Sequence, residues 1–276
     1  MTEIQIGAAQ FGGIYGLTNG AKPMSLRESW EILDFGLSNG VTHVDTAPDY
    51  GESLSVISNY RGGPLNITSK IKAAGKRLQD LNEMIDFQQE MLGKNHILEN
   101  ILIHDLATLS VREREFVREL SQARKDVSFG ISVYEPWEIE QTLNQIGNIE
   151  SIQFPINILN QLFMEFLNTP KRKGFLLIAR SLMLQGALDW ESKRNPFTKH
   201  KEIIQVREFA NSLRMKPIEV VVAFAKQLNV DLLLIGFGSV QQFREFMDAW
   251  TSDLPSVIDF SRFNSNDLNL IDPRNW

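Results

Sequence analysis

The chain has 276 residues, 43% hydrophobic and 22% charged, an ordinary globular balance that excludes a disordered or fibrous protein. Lys plus Arg number 28 against 34 Asp plus Glu, giving a net charge of −6 and a pI of about 5.4, so neither a nucleic-acid backbone nor an anionic membrane is an expected partner. With no cysteine there can be no disulfide, thiolate zinc site or cysteine nucleophile, which fits a reducing compartment.

Residues 1–10 carry Glu3, no Lys or Arg, and no long apolar core of the signal-peptide kind. The most apolar stretches, 220–225 and 232–237, fall well short of the roughly 18 residues needed to cross a bilayer. The expectation is a cytoplasmic protein.

Short apolar runs alternate with amphipathic ones along the whole chain. Strands are predicted at 3–9, 41–45, 66–70, 100–104, 127–132, 151–154, 175–179 and 232–236. Between them, Ser25 and Glu28 form a capping box ahead of Trp30, Ile32, Leu33 and Phe35, and Asn39-Gly40 stops that helix. Pro136 sits in the first turn of a helix through Ile146, and Pro217 opens another that runs to about Leu228. Eight such units at roughly 34 residues each match a single-domain (β/α)8 barrel over residues 1–276, whose usual size is about 250 residues. A doubly wound open sheet shares the alternation, but the even spacing of eight strands favours the barrel. In a barrel, chemistry belongs at the carboxyl ends of the strands.

Polar residues stand at those ends. Asp45 closes the second strand and Tyr50 follows in Asp45-Thr46-Ala47-Pro48-Asp49-Tyr50-Gly51; Lys70 closes the third and His104 the fourth. This mixture suits proton delivery to a carbonyl oxygen. A free tyrosine, with pKa near 10, is a poor acid at neutral pH, and a neighbouring ammonium favours its phenolate. Tyr50 then reads as the acid, Lys70 as its tuner, Asp45 as the anchor of the lysine, and His104 as the group that orients the carbonyl. His43 shares a strand face with Asp45 and reads as a core histidine pointing into the barrel; His96 and His200 fall at helix ends or in loops. An alternative use of the same residues is a lyase with Lys70 as Schiff-base amine.

The same residues resemble the signature of the aldo-keto reductase superfamily: Asp-Thr-Ala-x-x-Tyr-Gly, then lysine and histidine at the next two strand ends. The likeness runs along nearly the whole chain, through Gly7-Ala8-Ala9-Gln10-Phe11-Gly12, Gly130-Ile131-Ser132-Val133, 151–157 and Arg180-Ser181-Leu182-Met183-Leu184-Gln185-Gly186. It implies the same barrel, a small carbonyl or sugar-like substrate, and NADP(H), or less often NAD(H), bound without a Rossmann domain. By resemblance, Ser132 and Gln153 hold the nicotinamide carboxamide, and Ser181, Leu182 and Gly186 line the pyrophosphate. The loop Gly236-Phe237-Gly238-Ser239 feeds a helix start that can receive a phosphate, followed by Gln242 and Glu245. Three positions depart from the family pattern: Val133 and Phe246 replace asparagines, and Gln242 replaces an arginine that meets the adenosine 2′-phosphate. Arg244 is the candidate substitute for that charge, and NADP(H) is the expected cofactor with its advantage over NAD(H) weakened. The short loop after His104 implies an open pocket, with Phe11, Tyr15, Tyr134 and Trp137 as wall candidates. Some barrels of this kind are regulatory and turn over slowly, a further alternative.

Overall fold

A computed structural model describes residues 2–17, 23–169, 174–255 and 257–276. Eight strands, β1 (Glu3–Gly7), β2 (His43–Asp45), β3 (Asn66–Ile71), β4 (Ile97–Ile103), β5 (Ser128–Ser132), β6 (Ser151–Pro155), β7 (Leu176–Arg180) and β8 (Leu232–Gly236), pair in parallel and in chain order into a closed barrel. The seam is the β1–β8 ladder, in register from Glu3 with Leu232 to Gly7 with Gly236. Closure leaves no edge strand, so every ladder group inside the barrel has a partner on both sides.

Helices cover the outside: α1 (Leu26–Ser38), α2 (Ser53–Ser58), α3 (Leu78–Leu92), α4 (Val111–Ala123), α5 (Pro136–Gln145), α6 (Met164–Leu167), α7 (Lys201–Ser212), α8 (Pro217–Ala225), α9 (Val240–Thr251) and α10 (Leu268–Ile271). Their starts follow local chemistry. Ser25 caps α1 and Ser110 caps α4, each completing a capping box with a glutamate three residues on, and Pro136 and Pro217 occupy first turns. Outward strand residues such as Ile6, Val44, Ile67, Ile101, Ile131 and Leu233 are fully buried against these helices. Burial of this apolar layer, at about 25 cal/mol per Å² removed from water, is the main stabilising contribution.

Several boundaries differ from the sequence reading by one to three residues. β1 ends at Gly7 because residues 9–11 turn into a 3-10 segment, and β7 extends through Arg180 because Ile156 N–H donates to the Arg180 carbonyl. α8 stops at Ala225 instead of reaching Leu228.

The barrel interior is unusually polar. Gln5 Nε2 donates to Thr68 Oγ1 at 2.9 Å and Ser151 Oγ donates to Asn100 Oδ1 at 2.9 Å, forming a buried hydrogen-bonded layer across β1, β3, β4 and β6. Ile178, Leu232 and Leu234 complete the remaining side, as their register with Gln153 and Gln5 requires. Below this layer His43 stands between Glu3 (3.5 Å) and Glu99 (3.3 Å) at the amino mouth, so it is held by carboxylates and not by an apolar core. Above it lie the strand ends.

The segment carrying Tyr50 is seated on the turn after β1. Ser53 Oγ donates to the Ala8 carbonyl at 2.8 Å and Glu52 N–H to the Gly12 carbonyl at 3.4 Å. A Cβ on Gly12 would sit 1.5 Å from the Tyr50 carbonyl oxygen and 2.7 Å from Ser53 N, both rigid backbone atoms. Gly12→Ala is therefore expected to push the Tyr50 loop outward and destabilise the fold by about 1–3 kcal/mol, the range for overpacking, lowering the melting temperature and the turnover together. Calorimetry and kinetics of this variant check it; a wild-type melting temperature would refute the contact.

Candidate active site

The carboxyl mouth of the barrel collects the polar strand ends. Lys70 is buried, its Nζ 2.5 Å from Asp45 Oδ1 and 3.0 Å from the Thr46 carbonyl. The second oxygen of Asp45 accepts from Gln153 Nε2 at 2.8 Å, and Ser132 Oγ donates to Gln153 Oε1 at 3.3 Å. The Tyr50 ring lies over the ammonium, 4.9 Å from its centroid. Burial alone would drive Lys70 towards the neutral amine, but Asp45 and Tyr50 oppose it, and the net shift is upward. Lys70 is therefore a fixed ammonium.

His104 stands at the end of β4, with its backbone N–H donating to the Ile71 carbonyl at 2.9 Å. The next residue, Asp105, accepts from Ala73 N–H and Ala74 N–H at 2.9 and 2.8 Å, pinning the two loops together. Burial, reinforced by the charges of Lys70 and Arg180, pushes the imidazole down to about 4, so it is neutral at physiological pH. Tyr15 is raised to about 12, chiefly by burial.

These residues open on one cavity of about 710 Å³. Asp45, Tyr50 and His104 line one end, with Tyr15, Tyr134 and Arg180 around them; Lys70 lies just beneath. Ser132, Gln153, Ser181, Leu182, Gly186, Gly236, Gln242 and Glu245 all lie on the wall. The other candidates fall elsewhere. Phe11 is 3% exposed, packed into the core, and Trp137 is 57% exposed on the first turn of α5; neither reaches the cavity. Gly238 and Ser239 stand behind the wall: Gly238 N–H donates to Gln242 Oε1 at 2.7 Å, and Ser239 Oγ caps α9 by accepting from Gln242 N–H. Arg244 does not turn towards the cavity; its guanidinium stacks on Phe35, 4.8 Å from the ring centroid.

Two functional features were not anticipated from sequence. Gln153 is tied to Asp45, so it belongs to the Lys70–Asp45 network as well as to the wall. Arg180 projects into the cavity from the end of β7, where its Nη2 donates to the Val133 carbonyl at 3.1 Å and its guanidinium stacks on Tyr134. Extending the seventh strand by one residue would have exposed it as another polar strand end.

The cavity floor and middle wall suit a long, close-fitting ligand. Gly7 and Gly236 face each other there, and a Cβ on Gly236 would meet the Gln10 side chain at 2.6 Å. Ser181, Leu184 and Gln185 have φ of 65°, 47° and 52°, in the left-handed region that non-glycine residues rarely adopt. Strain gathered in one loop on a cavity wall marks a functional segment. No cluster of metal-ligating side chains occurs among the described residues, and no helix there is long and apolar enough to cross a membrane.

Fold and site together define a (β/α)8 barrel whose polar strand ends gather around one cavity at the carboxyl mouth. The chain belongs to the aldo/keto reductase family, whose model matches residues 3–261, and is an oxidoreductase acting on carbonyl and alcohol groups with a nicotinamide cofactor. Among solved structures, an aldo-keto reductase of Bacillus halodurans in its holo form superposes with a TM-score of 0.75 at 16% identity, covering 99% of this chain and 95% of that one. The glycerol dehydrogenase of Gluconobacter oxydans follows with a TM-score of 0.68 at 14% identity, covering 98% and 92%. A thermostable aldo-keto reductase bound to the inhibitor epalrestat gives 0.67 at 20% identity, covering 92% of each chain. At these identities the likeness is one of fold. No curated protein matches the chain.

The neutral state of His104 has a measurable consequence. Its folded pKa, about 4, lies below the ordinary 6.5, so between these values the unfolded chain binds a proton that the native state does not. Stability should fall as pH drops from 6.5 towards 4, and His104→Gln should flatten that slope. An NMR titration checks the cause: the His104 ring should stay neutral to about pH 5, and titration near 6.5 would contradict it.

Proposed function

We propose that the protein interconverts a small, polar carbonyl compound and its alcohol, with Tyr50 as the general acid for reduction. The observation that carries this reading is the buried Lys70 ammonium, 2.5 Å from Asp45 and beneath the Tyr50 ring, at a cavity end shared with a neutral imidazole.

The roles follow from elementary chemistry. The neutral His104 ring donates an N–H hydrogen bond to the carbonyl oxygen and polarises it without adding a competing acid. Tyr50 delivers its hydroxyl proton to that oxygen as negative charge develops there. The Lys70 ammonium stabilises the phenolate left behind, and Asp45 and the Thr46 carbonyl keep that ammonium in place. In the alcohol direction the phenolate takes the proton back. The bound nicotinamide supplies or accepts the hydride. Ser132, Ser181, Leu182, Gly186, Gly236 and the Gln242–Glu245 turn are the residues proposed to hold the dinucleotide, and Gln153 serves both this wall and Asp45. Lys70 is unsuited to a Schiff-base role, because its pair with Asp45 keeps it protonated and so denies it a nucleophilic lone pair.

Preference for NADP(H) needs a cation at the far end of the cavity. With Arg244 stacked on Phe35 and Gln242 turned to Gly238, Lys216 is the cation among the described residues of that wall, which also carries Glu219, Glu245 and Asp248. We therefore assign a modest NADP(H) preference to Lys216. NADPH should bind more tightly than NADH by roughly three- to thirtyfold, and Lys216→Ala should bring the ratio near one. Fluorescence titration of both nucleotides decides it; tighter NADH binding by the wild type refutes NADP(H) while leaving the reductase reading intact.

For the acid itself, Tyr50→Phe should reduce turnover by at least about a hundredfold with dinucleotide binding retained. Lys70→Met should cause a comparable loss and change the pH profile of the remaining activity. Steady-state kinetics alongside binding titrations check both, and a Tyr50→Phe enzyme with normal turnover would refute the assignment.

A further inference from the structure

Most cations around the reacting end of the cavity are held in ion pairs. Lys70 is paired with Asp45, Lys72 with Asp49 at 2.6 Å, and Arg274 with Asp272 at 2.5 Å. Arg180 is the exception. Its contacts are the Val133 carbonyl at 3.1 Å, Ser181 Oγ at 3.4 Å and the Tyr134 ring at 4.3 Å, all of them neutral. Among the described residues no carboxylate lies within ion-pair distance of its guanidinium.

This arginine is also held ready. The Tyr134 ring on which it stacks carries a second guanidinium, that of Arg274, 3.7 Å from its centroid. Arg274 is itself fixed, its Nε and Nη2 both hydrogen-bonded to the Asp272 carboxylate. Stacking uses the face of the Arg180 guanidinium and the two hydrogen bonds use part of its edge. A guanidinium has five N–H donors in a planar fork, so donors remain for a bidentate anion. The charge is also felt at the reacting end, since Arg180 helps hold His104 neutral. The Asp272 carboxylate feels the charge of Arg180, but both of its oxygens are already hydrogen-bonded to Arg274, so the open edge of the Arg180 guanidinium is left for a ligand anion.

We infer that Arg180 reads the substrate, and that this substrate is an anionic carbonyl compound, with a carboxylate or phosphate placed to meet Arg180 when its carbonyl lies between Tyr50 and His104. This rests on the proposed roles of Tyr50 and His104. A sugar acid or an oxo acid fits the description for a carboxylate, and a phosphorylated sugar for a phosphate.

The test compares matched substrates. 4-Carboxybenzaldehyde against 4-formylbenzamide probes a carboxylate, and glyceraldehyde 3-phosphate against glyceraldehyde probes a phosphate. For the wild type, kcat/KM should favour the anionic member of at least one pair by about tenfold or more, the scale of one charge-assisted hydrogen bond, with most of the difference in KM. Arg180→Gln should bring that ratio to within about twofold of unity, and Arg180→Lys should keep part of it. Because both members are measured on the same variant, any general damage to folding or cofactor binding cancels. A second readout needs no turnover: calorimetry of terephthalate, which cannot be reduced, should show binding weakened at least about fivefold in Arg180→Gln.

A wild-type ratio near one for both pairs overturns the proposal, as does a ratio that survives Arg180→Gln. So does equal loss for charged and neutral members, which would place Arg180 at the cofactor instead. If no aldehyde is reduced with either nucleotide, the reductase reading fails, and the terephthalate titration alone then decides whether Arg180 binds an anion.

Discussion

The Lys70–Asp45 pair is the constraint around which the site is built. Two opposite charges removed from water lose several kcal/mol of hydration each, and a bare pair does not recover this. Here Asp45 uses one oxygen on Lys70 and the other on Gln153, while Lys70 also donates to the Thr46 carbonyl. Gln153 in turn accepts from Ser132. Asp45 and Lys70 sit on the adjacent strands β2 and β3, whereas Gln153 reaches Asp45 from β6, so only the barrel completes the network. Deleting one member would strand the other charge in a dry interior, at a cost of about 3–5 kcal/mol. The network thus holds the ammonium both charged and immobile.

Along the cavity the electrostatics divide. At the reacting end burial, reinforced by the charges of Lys70 and Arg180, keeps an imidazole neutral, whereas the wall farther along carries Glu219, Glu245 and Asp248 with Lys216.

Much of this was legible in the sequence because it depends on short-range rules. Alternating apolar runs gave eight strands, and polar residues at their carboxyl ends gave Asp45, Tyr50, Lys70 and His104, which the barrel brings to one mouth. The (β/α)8 architecture needs no more than that pattern and its even spacing. What was not legible depends on direction in three dimensions. Phe11 and Trp137 have the composition of wall residues, yet the 3-10 turn buries one in the core and the first turn of α5 points the other to solvent. Arg244 lies two residues from the expected phosphate contact, but on a helix that step rotates the side chain by about 200°, onto Phe35. Gln153 carries no sign in sequence that its amide will meet a carboxylate 108 positions away.

The seam between β1 and β8 gives the barrel a temporal order. Thr2 Oγ1 reaches the Val230 carbonyl across 228 positions, so β1 stays an open edge until β8 has been synthesised. The elements carrying Tyr50 and Lys70 are close in sequence and can meet early, while still near the ribosome. The wall built from β7, α8 and α9 comes later, and Arg274, which clamps Tyr134, comes after them. Closing so long a loop is slow, and an unpaired strand edge is sticky while it waits. A nascent chain can therefore hold its charged pair before it has a cavity around it, and the open edge of β1 persists until β8 has emerged to pair with it.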